Sequence, residues 1–223
     1  MGFVFSNVLM PFIGWGQYCF YLAVILIVAN KRFGWFKYFY RLSYKFLIGL
    51  VLGFKIIYAS AETWAQYYVW SNNNLTKLLL DKSVINLDIL RDFSGKFFIL
   101  LNNRFGYFLF YSWGRFWFEI FVSLLAASVF YLFLLLLEKY KDRFFIEGET
   151  ELGFLLSLMV GWSNFIVFLP LVFLSIVLVS VFKAVVLKEA YTTIGVPLIV
   201  AALIVLLLGN YLVNFLGLTQ LRV

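Results

Sequence analysis

The residues best placed to do chemistry are three carboxylates spaced two apart, Glu147, Glu149 and Glu151, set around Gly148 in Phe144-Phe-Ile-Glu-Gly-Glu-Thr-Glu151. They stand between two apolar runs, residues 116–137 and 152–160. Carboxylates gathered where two membrane helices meet are costly and ask for a reason. The chain has no histidine and one cysteine, Cys19. The usual metal-ligand sets and histidine proton transfer are therefore absent, and no disulfide can close within the chain. Two carboxylates, if they meet, can do acid–base chemistry without cofactor or metal. One carboxylate takes a proton from water while a second, protonated, polarises a carbonyl. Two close carboxylates cannot both ionise cheaply, so they share a proton. Acid–base help of this kind is worth about 10²–10⁴-fold, and only at hydrogen-bond reach. The plainer structural alternative is an acidic first helical turn, favoured by the helix dipole, with Gly148 making the bend.

The elements that must position these groups are membrane helices. Of 223 residues, 64% are hydrophobic and 13% charged, with a mean hydropathy of +0.96. Apolar runs of spanning length recur, which predicts an all-α, polytopic transmembrane bundle of about six helices in one integral membrane domain. The residues do not alternate as barrel strands would. The net charge of +7 sits in short loops beside apolar runs. Orientation and membrane lipids explain it better than nucleic acid. No removable signal peptide is read at the N-terminus.

In chain order, residues 8–29 form a first span, and residues 31–45 form a basic, aromatic interfacial stretch. Residues 46–60 are apolar, with Lys55 close enough to an end to snorkel. Residues 61–96 are the least membrane-like part, with a loop at Ser71-Asn-Asn-Asn74. Residues 97–113 are ambiguous: aromatic enough to span, but with Asn102-Asn103-Arg104 in the middle, which would need partners or a water-filled cavity. Residues 116–137 are a span, with Arg115 and Glu119 spaced for a helical ion pair. Residues 152–160 are short for a crossing. Residues 164–182, with Pro170 inside, and 194–216 are the last spans.

The second half resembles the type IV prepilin peptidases, membrane aspartic endopeptidases with a Gly-x-Gly-Asp motif. The motif position falls on Ile146-Glu147-Gly148-Glu149, the family's following Gly-Trp on Gly161-Trp162, and its Pro-Phe-Gly-Pro-like segment on Thr193-Ile194-Gly195-Val196-Pro197. The first motif glycine is Ile146, the aspartate is Glu149, and only Gly195 of the last segment stays in place. The resemblance implies residues 97–223 as a prepilin-peptidase-like helical core behind N-terminal helices at 1–96, in a prokaryotic cytoplasmic membrane. It also implies a second carboxylate at the mouth of an earlier span. By spacing this is Asp88; by hydropathy it falls near Ala59 and is lost. The partner would be a pilin-like precursor, cut at the cytoplasmic face.

Lys139, Lys141 and Arg143 place the Glu149 loop in the cytoplasm, and residues 31–45 ask for the same side. Pairing Asp88 with Glu149 instead needs residues 31–45 outside and 97–113 spanning. Three functions follow: a peptidase in which Glu149 and Asp88 share a proton, a relative without catalysis acting as a membrane scaffold, or a small transporter with Lys55, Arg104 and Glu119 along its path.

Overall fold

The computed structural model describes residues 2–33, 42–80, 105–188 and 192–218. Among them the chain is an all-α bundle of seven helices with no strand. These are α1 (Gly2–Phe33), α2 (Tyr44–Asn72), α3 (Asn74–Leu80), α4 (Gly106–Tyr140), α5 (Glu149–Val160), α6 (Trp162–Phe182, running on through π-helical Lys183–Leu187) and α7 (Gly195–Phe215). Four of them, α2, α4, α6 and α7, are long and apolar enough to cross a membrane, which suggests an integral membrane protein.

Contacts divide the chain into two compact units. One is Met1–Ile13 with Lys55–Glu119, and the other is Gly14–Phe54 with Ile120–Val223. In the first, Trp70, Leu80 and Phe108 form a small core, and Tyr111 packs its ring against Trp70 at 5.0 Å. Trp117 Nε1 donates to Thr63 Oγ1 at 3.3 Å, tying α4 to α2.

The second unit holds the larger core. Helix α5 is its axis: Leu152, Leu155, Leu156, Leu158, Met159 and Val160 are all buried. At 1.5 Å per residue its 12 residues reach about 18 Å, well short of a bilayer core of about 30 Å. A helix apolar on every side and too short to cross must be surrounded by protein. Phe130 of α4 and Phe165 and Phe168 of α6 form an edge-to-face aromatic group beside it. Gly161 ends α5 at φ +79°, a conformation costly for any other residue. The chain turns there into α6, where the Trp162 N–H donates to the buried Ser123 Oγ of α4 at 3.0 Å.

Several expected boundaries move. The run at 46–60 belongs to a 29-residue helix that continues past Glu62 to Asn72. Helical spacing keeps Ala59 and Trp70 inward while Trp64, Tyr67 and Tyr68 face out, so amphipathic residues extend what hydropathy would end. The bend at the Ser-Asn-Asn-Asn cluster is only Asn73. Lys55 does not snorkel: it is 5% exposed, continuing the buried stripe of Leu47, Val51 and Ala59 at every fourth residue. Residues 106–112 are not a separate segment but the start of α4. They join the rest through a π-helical turn at Trp113–Trp117, where the Phe118 N–H reaches Trp113 O. That widened turn takes Arg115 and Glu119 out of i,i+4 register, and they form no ion pair within 4.0 Å. Lys31 and Arg32 end α1 and Lys45 lies in the first turn of α2, so the described parts of residues 31–45 are these two helix ends and the two residues, Leu42 and Ser43, that lead into α2. Asp88 and Arg104 lie outside the described residues.

Candidate functional site

Four chain segments of the second unit meet at Glu149: the end of α1, the start of α2, the start of α5 and the approach to α7. Gly148, at φ +86°, bends the chain into α5, and Glu149 takes the first helical position. An acidic residue there is favoured by the exposed N–H groups of the first turn. The Ile146 N–H donates to Glu149 Oε2 at 3.1 Å, and the Glu149 N–H donates to Ile146 O at 3.0 Å. This reciprocal pair turns the side chain back into the protein, where the residue is 3% exposed.

Arg32, in the last turn of α1, faces that carboxylate. Its Nη2 lies 3.0 Å from Glu149 Oε1. The contact is off the N–H direction, so Oε1 is held by charge and makes no hydrogen bond of its own among the described residues. The same Nη2 donates to Thr193 Oγ1. The Ile194 N–H donates to Phe144 O at 3.1 Å, fixing the segment before α7 against the loop before α5. Gly195 then closes the remaining side. A Cβ at Gly195 would stand 2.5 Å from Glu149 Oε1, so the carboxylate fills the space a side chain would need.

The motif positions thus separate into two groups. Gly148, Glu149 and Gly195 come together. Gly161 and Trp162 stand at the other end of α5 and act there as a turn and a helix start. The three carboxylates part: Glu147 is exposed, while Glu151 pairs with Lys45 at 3.5 Å on the surface. No three metal-ligating side chains converge among the described residues. Ala59, the other place for a second carboxylate, is a buried position on α2.

Sequence reasoning missed Arg32 as the partner of Glu149. Its only signal was a basic residue directly behind the first apolar run, at the same end of the bundle as the motif. Beside the pair lies an open cleft of about 490 Å³, lined by Lys31, Arg32, Ser43, Tyr44, Ile146, Glu147, Gly148 and Glu151. Lys31 Nζ donates to Leu42 O at 2.7 Å and sits 3.9 Å from the centre of the Tyr44 ring. No family model, curated protein or solved structure matches the chain.

Proposed function

We propose that this chain is a prepilin-peptidase-like protein of a prokaryotic cytoplasmic membrane that acts without catalysis, as a scaffold for pilin-like precursors. The observation that carries the reading is Arg32 against Glu149. Peptide hydrolysis by carboxylates needs a second carboxyl group at hydrogen-bond reach, so that one proton is shared. The group set against Glu149 here is a guanidinium, which compensates its charge but does not give up a proton at neutral pH. The family likeness itself is supported by two motif positions far apart in sequence, Gly148-Glu149 and Gly195, lying against each other.

The test incubates the purified protein in liposomes with a pilin-like precursor and follows leader release by mass. The expected outcome is no release by the wild type, by Glu149→Gln or by Asp88→Asn, with the uncleaved precursor retained on the wild-type protein. Release by the wild type that disappears in both variants would establish the peptidase instead, with Asp88 as the second carboxylate.

A further inference from the structure

The cleft beside the ion pair carries charge of both signs on separate residues. From α1 come Lys31 and Arg32. From the loop and first turn of α5 come Glu147 and Glu151. The cations have hydrogen-bonding capacity left. Lys31 uses one of three donors on Leu42 O. Arg32 uses Nη2 on Thr193 and Glu149, and its Nε and Nη1 make no hydrogen bond among the described residues. Glu147 has no ion pair among the described residues, and Glu151 has only the long surface contact to Lys45. A ligand that satisfies both sets must carry an anion and a hydrogen-bonding cation a few atoms apart.

The cleft also opens where helices α1, α2 and α5 end or begin, and basic side chains with a tyrosine at helix ends suit the headgroup region of a bilayer. Its volume suits a small polar group. We propose that it binds the headgroup of phosphatidylethanolamine. The phosphate lies on Lys31 and Arg32, with the Ser43 hydroxyl donating to it, and the primary ammonium donates to Glu147 and Glu151. Phosphatidylcholine offers the same phosphate, but its quaternary nitrogen cannot donate. Phosphatidylglycerol offers no cation. The carboxylates therefore select among lipids that the two cations alone would treat alike.

The test reconstitutes the full chain in nanodiscs of phosphatidylglycerol mixed with either phosphatidylethanolamine or phosphatidylcholine, then releases it for native mass spectrometry. Retained phosphatidylethanolamine is expected to exceed phosphatidylcholine by about tenfold, as charge-assisted hydrogen bonds to a part-buried site allow. Glu147→Gln with Glu151→Gln should bring the two lipids to parity, and Lys31→Ala should lower both. Should the double variant fold poorly, Glu147→Gln alone, at an exposed turn, must still lower the ratio. Equal retention by the wild type, or a preference for phosphatidylglycerol, would overturn the assignment. So would full competition by soluble phosphoethanolamine at the same headgroup concentration, or displacement of the lipid by a basic peptide.

Discussion

At the scale of the residue, the centre of this protein is a carboxylate that is almost wholly buried and a guanidinium that is not. The side chain of Glu149 is 4% exposed and that of Arg32 is 21% exposed, at a separation of 3.0 Å. Burying such a pair gains little over an apolar pair of the same shape, but removing one partner leaves the other uncompensated. Glu149→Gln should therefore destabilise the protein by about 3 kcal/mol, the low end for buried pairs because Arg32 keeps some contact with solvent. Unfolding in detergent, followed by the aromatic signal, measures it. Arg32→Met combined with Glu149→Leu should recover most of the loss. A melt of Glu149→Gln that matches the wild type would mean the pair holds nothing.

At the scale of the element, the start of α7 lies against the Glu149 side chain of α5 with no room for a methyl group between them. Gly195→Ala sets its new carbon against Glu149 Oε1 and must push the carboxylate from its place beside Arg32. Overpacking of this kind costs about 1–3 kcal/mol. The same substitution made in a Glu149→Ala background should cost much less, because the two residues share one space. A double-mutant cycle on unfolding reads the difference, and simple additivity would refute the contact. This meeting of segments was not legible in the sequence: Gly161-Trp162 fell on the same pattern as Gly148-Glu149 and Gly195, yet stands at the far end of α5. The helices α5, α6 and α7 were legible from hydropathy and from Gly161. What was not legible has physical causes. An aromatic stretch such as Trp113–Trp117, with Gly114 and Arg115 inside it, looks the same whether the turn is α or π. The length of α2 was hidden by Glu62 and Gln66, which hydropathy counts against a helix although helical spacing tolerates them. Arg32 was hidden because its partner lies more than a hundred residues on, and no local period records a pairing at that range.

At the scale of the whole molecule, the ion pair fixes topology within the second unit. The basic ends Lys31-Arg32 and Lys45 must share a membrane face with Lys139, Lys141 and Arg143. The positive-inside rule predicts that this face is cytoplasmic. With Cys19→Ser as background, Lys45→Cys and Lys141→Cys should both react with an impermeant thiol reagent from the cytoplasmic side. Leu216→Cys, beyond the far end of the 21-residue α7, should react from the other. Labelling of Lys45→Cys and Lys141→Cys from opposite sides would break the arrangement. The shortness of α5 also sets an order of events at the ribosome. Its leucines have no lasting shelter until α7 has been made and brings Leu198, Ala201, Ala202 and Val205 against the core. During synthesis α5 must wait, not spanning and packed only against helices already made, such as α4 through Phe130 and Leu134. Arg32, made more than a hundred residues before Glu149, waits longer still for its counter-charge, so membrane insertion of this protein is a process of deferred closure.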